Sequence, residues 1–149
     1  EPVHDLISYS SQDIDRTGSH DFYDTREIRT QFDFVVAREV IEHLDAGEKL
    51  ELVDELARLV KPGGWVAIAT PNAQHPNIFW RDFTHVMPIH YYDLAGLLGR
   101  AGCEDIGVFR LAKMNFAKRM TAAIYAPLLD LLHCDYAQSI LAVARRPEA

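Results

Sequence analysis

Phe32-Asp33-Phe34-Val35-Val36-Ala37 is the stretch on which the fold turns. It is a short, nearly continuous apolar run rich in β-branched and aromatic side chains. That pattern suits a strand buried on both faces in a parallel sheet. Glu39-Val40-Ile41-Glu42-His43-Leu44 follows as a short helical turn. Asp45 and Glu48 then form an Asp version of the capping box: Asp45 accepts backbone N–H bonds while Glu48 reaches back. Leu50, Val53, Leu56, Ala57 and Val60 recur at three- and four-residue spacing and predict one apolar helical stripe. Lys61-Pro62-Gly63-Gly64 ends that helix, because Pro62 lacks an N–H and glycine permits a left-handed turn. Trp65 to Thr70 repeats the buried-strand pattern, and Pro71-Asn72 breaks it.

Downstream, a long connection from Ala73 to His90 carries Pro76 and Pro88. Tyr91 to Ala101 reads as a helix with Leu94, Leu97 and Leu98 on its apolar face and Gly102 as its stop. Asp105 to Leu111 is a third strand, Phe116 to Leu132 a helix interrupted near Pro127, and Ser139 to Ala144 a fourth strand. Such alternation predicts an α/β sheet, mostly parallel, with the last helix and strand forming an antiparallel hairpin at its edge. Upstream, residues 1–31 form an irregular leader. Leu6 to Tyr9 is a candidate short strand, and the charge-dense stretch from Ser10 to Thr30 is loop with a short helix.

The 149 residues correspond to about one domain. Hydrophobic residues at 48% and charged residues at 25% exclude a disordered chain, a collagen-like repeat and a membrane bundle. The net charge of −7 argues against general nucleic-acid binding, which needs a basic surface, but leaves room for small anionic substrates. Cys103 and Cys134 form no Cys-x-x-Cys pair and are expected as reduced, buried thiols of a cytoplasmic protein. No apolar run reaches the roughly 18 residues of a membrane span, and the start at Glu1 is unlike a signal peptide. Glu1 is also not a Met, so the chain reads as the interior of a longer product.

From Phe32 to Arg110 the sequence resembles the C-terminal half of a class I S-adenosylmethionine-dependent methyltransferase. Phe32–Val36 resembles that family's fourth strand, and Glu39–Leu44 the segment after it. Leu59-Val-Lys-Pro-Gly-Gly-Trp65 resembles the turn into the fifth strand, Ala69-Thr-Pro-Asn72 that strand's end, and Leu97-Leu-Gly-Arg-Ala-Gly102 the helix before the sixth. Trp80-Arg-Asp-Phe-Thr-His-Val86 is similar to an Asp-x-Thr-His stretch in bacterial methyltransferases that modify polysaccharides or other small molecules. The resemblance implies a partial Rossmann-like methyltransferase sheet over residues 32–149. It also implies S-adenosylmethionine as cofactor and methyl transfer to a small-molecule or glycan hydroxyl.

The chain departs from the family in one respect: it contains no Gly-x-Gly. The Gly-rich turn that admits the donor's ribose and methionine is therefore missing. The 31 residues before Phe32 are too few for three strands and two crossover helices, since one βαβ unit takes about 30. The donor-binding half is then absent, supplied by another chain, or lost. The alternative is a degenerate module without donor binding, acting in assembly or regulation. In the full fold the fourth strand is central, so here Phe32–Ala37 becomes an exposed apolar edge that recruits a partner strand. The expected cover is Leu6–Tyr9 or a second copy in a homodimer.

Methyl transfer to a hydroxyl requires alignment and removal of a proton. His85, in the loop after the second strand run, is the candidate base. Asp82 is its orienting partner or an acceptor-hydroxyl ligand, and Trp80 is a wall for the acceptor. By resemblance, Ala37, Arg38 and Glu39 line the donor's methionine end, and His43 lies near the acceptor with Glu42 beside it. Asn72 either faces the cleft or fixes the turn after Pro71. Asp21 resembles the acidic residue that reads the donor's adenine, with Asp13 as competitor. His20, His75, His85 and His90 lack metal-site spacing, so no metal is expected.

Overall fold

Asp45 starts the first helix as its spacing predicts. Its carboxylate accepts the Glu48 amide, and the Glu48 carboxylate accepts the Asp45 amide, each at 2.9 Å. A computed structural model of the protein describes residues 8–148. The main elements in order are β1 (Phe32–Arg38), α1 (Ala46–Leu59), β2 (Val60–Pro71), α2 (Tyr91–Arg100), β3 (Glu104–Leu111), α3 (Phe116–Leu131) and β4 (Ser139–Arg145). No helix among the described residues is long and apolar enough to cross a membrane.

The four strands form one sheet in the order β1-β2-β4-β3. β1 and β2 are parallel, and β4 runs antiparallel to both of its neighbours. Three strands therefore point one way, and the fold is the expected partial Rossmann-like α/β sheet. The position of the antiparallel strand differs from the sequence reading. β4 lies inside the sheet, between β2 and β3, and β3 takes the edge. The cause lies in their side chains: β4 buries Ile140, Ala142 and Ala144, whereas β3 carries Glu104, Asp105 and Arg110, which tolerate an edge.

Strand register explains the core. Val35, Val66 and Ala144 form one cross-strand row, and Ala37, Ile68, Ala142 and Val108 the next. This face packs under α1 through Val53, Leu56 and Ala57 and under α2 through Leu94 and Leu98. Each fully buried Leu there contributes about 1.5–3 kcal/mol. The opposite face is open. Phe34 and Val36 are 55% and 56% exposed, and α3 buries none of its residues. β1 is thus buried on one face only, because no helix among the described residues covers the other. Nothing among the described residues pairs with its outer edge. Ser8 and Tyr9 belong to no strand, and Leu6 and Ile7 lie outside the described residues.

Two local readings change as well. The buried residues of α1 are Lys49, Val53, Leu56, Ala57 and Leu59, Leu50 faces outward, and Val60 already belongs to β2. Pro62-Gly63-Gly64 does not separate helix from strand. The strand begins at Val60, and these residues form an irregularity in its pairing between Phe32 and Phe34 of β1. Gly63 has φ +76°, and a Cβ on Gly64 would lie 2.8 Å from the Asp33 carbonyl oxygen, so both positions require glycine. Cys103 is buried, Cys134 is half-buried, and neither forms a disulfide.

Candidate active site

Because β1 and β2 are parallel, their carboxyl ends open on the same rim, where open α/β sheets bind ligands. Leaving β1, the chain turns sharply at Glu39, which adopts φ +53°. Its amide donates to the Ala69 carbonyl of β2 at 3.0 Å. A left-handed non-glycine residue stores strain of order 1–3 kcal/mol, and such residues cluster at functional sites. The turn places Ile41–His43 as a 3-10 segment above the end of β2.

Glu42 is almost wholly buried, at 1% exposure. Its Oε2 accepts the Thr70 hydroxyl at 2.9 Å, while Oε1 is buried and receives no N–H or hydroxyl donor from the described residues. The Glu39 carboxyl lies beside it. Although Glu39 is largely exposed, partial desolvation pushes its pKa up, and the negative charge of Glu42 and a hydrogen bond with its carboxylate push it further. Lys49 reaches in from α1, giving its ammonium to the carbonyls of Ile41 and Met87 (2.9 Å for the latter). Burial lowers its pKa. Lys49 thus ties α1 to both segments of the site, and it makes no ion pair with Glu42.

The long loop after β2 closes over the rim. The Val86 amide donates to the Glu42 carbonyl at 2.9 Å. His85 Nδ1 meets the Phe79 carbonyl oxygen at 2.6 Å. A carbonyl only accepts, so Nδ1 carries a proton, and in the neutral ring the lone pair falls to Nε2. His43 Nδ1 lies 3.1 Å from both the Thr84 carbonyl and the Thr84 hydroxyl, which assigns it the same tautomer. The two imidazoles pack edge to face, with centroids 4.9 Å apart. One ligand atom each from Glu42, His43 and His85 lies within 4.8 Å of the others. The site therefore brings two imidazoles and a buried carboxylate together at one point.

A profile of the methyltransferase-domain family matches residues 1–108. The chain belongs to that family. Solved structures agree at the level of fold. A SAM-dependent methyltransferase from Archaeoglobus fulgidus superposes with a TM-score of 0.73 at 17% identity, over 91% of this chain and 74% of that one. Phosphoethanolamine N-methyltransferase 2 from Haemonchus contortus, in complex with S-adenosyl-L-methionine, gives 0.55 at 19% identity, over 85% of this chain and 36% of that one. An O-methyltransferase family protein from Burkholderia thailandensis gives 0.57 at 18% identity, over 87% and 36%. The chain thus spans about three quarters of the first and about a third of the other two. No curated protein matches it by sequence.

Within this methyltransferase domain the residues singled out from the sequence fare differently. His43, His85 and Glu42 come together. Asp82 does not orient His85. Its carboxylate accepts the Thr84 amide at 2.9 Å and the Thr84 hydroxyl at 2.6 Å. These two bonds hold its pKa below the ordinary value. Asp82 thereby acts on His43 through Thr84. Trp80 is 73% exposed and meets the buried Phe79 edge to face, with Phe79 in turn against His85. Asn72 is buried and its amide is consumed. It donates to Asp135 (3.1 Å) and the Ala137 carbonyl (3.0 Å) and accepts from the Gln74 amide (3.0 Å). These bonds brace the turn after Pro71.

On the donor side, Ala37 is buried, and Arg38 and Glu39 are exposed at the end of β1. Asp21 accepts the Ser11 amide at 2.7 Å and the Ser11 hydroxyl at 3.2 Å, which closes a loop in the leader. The Asp13 carboxylate accepts the Asp15 amide at 2.9 Å. Ala37–Glu39 can form one ledge of a donor pocket. No glycine among the described residues forms a cradle there, since Gly63 and Gly64 sit at the opposite, amino end of β2. Thr70, Thr84, Phe79 and Lys49 are supporting residues that the sequence reading passed over.

Proposed function

We propose that this domain transfers a methyl group from S-adenosylmethionine to a hydroxyl of a small molecule or glycan, and that the hydroxyl is deprotonated at the His43–His85 cluster. The observation that carries this is the Nδ1–H bond of His85 to the Phe79 carbonyl. In the neutral ring this puts the lone pair on Nε2, as a general base requires. When bound, the donor supplies an electrophilic methyl carbon. His85 takes the hydroxyl proton, and His43, fixed by Thr84, packs against its ring and holds its orientation. Ala37–Glu39 bound the donor's methionine end, and the exposed ring of Trp80 suits the face of a sugar.

No glycine among the described residues lies at the carboxyl ends of β1 and β2, and the second reading is a methyltransferase-like module without donor binding. Isothermal titration with S-adenosylmethionine separates the two. The expected result is saturable heat at one site per chain. No heat and no thermal shift at saturating donor would leave only the second reading for this chain.

The open edge of β1 bears on assembly. A second copy pairing through Phe32–Ala37 would bury Phe34 and Val36. Sedimentation is expected to show a dimer at high protein concentration, and Phe34→Lys with Val36→Lys to return it to monomer, because edge charges block strand addition. A wild-type chain that stays monomeric throughout would rule the dimer out.

A further inference from the structure

The Glu42 carboxylate poses a problem that the base reading leaves unsolved. Its Oε1 is buried and receives no N–H or hydroxyl donor from the described residues, so that only a protonated Glu39 carboxyl stands beside it. An unsatisfied buried polar atom costs about 1–3 kcal/mol, and more when it is charged. Native structures keep such groups where a water, an ion or a function requires them. The nearest buried cation, Lys49, is committed to the Ile41 and Met87 carbonyls. The neighbour of Glu42 at the rim is the Glu39 carboxyl, which can share a proton with it, and among the described residues no cation pairs with either.

Both histidines are oriented in the same way. Each turns Nδ1 to a backbone carbonyl, His85 to Phe79 and His43 to Thr84, which in the neutral ring gives the lone pair to Nε2. An imidazole fixed through its other nitrogen to a carbonyl is the usual support for a metal-bound histidine. The Glu42 carboxylate is supported by Thr70 through Oε2, which leaves Oε1 available. The three side chains bring one ligand atom each to within 4.8 Å of one another. Glu42 is buried, while His43 and His85 are half-buried, so the site is closed behind and open in front. Three protein ligands and an open position characterise catalytic rather than structural metal centres.

We infer that Glu42, His43 and His85 form a site for a first-row divalent metal ion at the acceptor end of the rim. Two nitrogens and one carboxylate oxygen suit Zn²⁺, Fe²⁺, Co²⁺ or Mn²⁺, whereas Mg²⁺ and Ca²⁺ prefer all-oxygen shells. Sequence spacing missed the site because its ligands come from two distant segments, the turn after β1 and the loop after β2. The assignment rests on the methyl-transfer reading only for its role. There the ion holds the acceptor through its hydroxyl oxygen and makes that hydroxyl more acidic. In that state His85 would serve as a ligand rather than as the free base, and the proton of the acidified hydroxyl would leave to solvent water at the open front of the site.

The test is metal binding by the chelator-treated chain, read by calorimetry with Zn²⁺ and by the visible absorption of Co²⁺. One ion per chain is expected, uncompeted by equimolar Mg²⁺. Binding should weaken by about 100-fold or more in His43→Ala, His85→Ala and Glu42→Gln, beyond the 10–100-fold typical of losing a supporting bond. His75→Ala should bind as the wild type does. Far-UV circular dichroism checks that each variant is folded, and the half-buried His43 is the mildest truncation. No saturable binding by the folded wild type would overturn the site. So would binding that survives unchanged in folded His43→Ala. Donor titration on the same metal-free samples keeps the two readings apart. Donor heat without metal binding overturns the metal site alone, while metal binding without donor heat supports the site and removes the methyl-transfer reading.

Discussion

His85→Ala is expected to lower methyl transfer by about 10²–10⁴-fold while the protein stays folded. In barrier terms that is roughly 3–5 kcal/mol. The structural cost is far smaller. The substitution removes one hydrogen bond to the Phe79 carbonyl, worth about 0.5–1.5 kcal/mol, and part of a half-buried ring contact. If His85 is the base, the loss should appear in kcat with KM little changed, because the imidazole then acts on the proton rather than on ground-state binding. Initial rates with S-adenosylmethionine and a panel of hydroxyl acceptors measure it. Asp82→Asn provides the contrast. Asp82 reaches the site only through Thr84 and His43, so its loss should cost about tenfold or less. An unchanged rate in His85→Ala would remove His85 from the chemistry. Equal losses in the two variants would put Asp82 back in contact with the acceptor.

The parts of the fold that were legible in the sequence are those set by local chemistry. Asp45 and Glu48 fix the start of α1 because the cap is made within four residues. β2 and β4 read as strands because both carry dense apolar runs. What was not legible depended on which faces are covered. The apolar run at Phe32–Ala37 looks the same whether or not a helix lies over Phe34 and Val36. Periodicity in α1 allowed a stripe through Lys49 as readily as one through Leu50. Hydrophobicity favoured Leu50, but the polar groups waiting at Ile41 and Met87 reward the lysine. The site shows the same division. His43 and His85 stood out by residue type and position, but their meeting with Glu42 depends on how the loop after β2 returns across the rim. The Val86–Glu42 backbone bond that fixes this return leaves no trace in the sequence.

Asn72→Ala is expected to act on stability, although the residue sits at the end of a strand that borders the site. Its side chain bonds the buried carboxylate of Asp135, which is 5% exposed, along with the Ala137 carbonyl and the Gln74 amide. Asp135 also accepts the Ala137 amide at 3.0 Å and lies 3.5 Å from Arg110. The Arg110 contact is long and its side chain is mostly exposed, so solvent screens it and it cannot replace the amide donor. Truncation therefore strands a buried charge and two backbone groups at once. Leaving a buried group without its partner costs about 1–3 kcal/mol, and more for a charge, so a total of about 2–4 kcal/mol is expected. For a chain of this length that is a fall in Tm of roughly 6–12 °C. Calorimetry on the purified variant measures it, and the Kd for donor should stay near that of the wild type at temperatures where both are folded. A variant that melts like the wild type but binds acceptor poorly would show that the Asn72 amide leaves the turn to meet substrate. The backbone argues against that exchange. The Asn72 amide donates to the Gln138 carbonyl at 2.9 Å, and the His75 amide donates to the Asn72 carbonyl at 3.0 Å. The residue is thus held from both ends, in a turn that joins β2 to the start of β4.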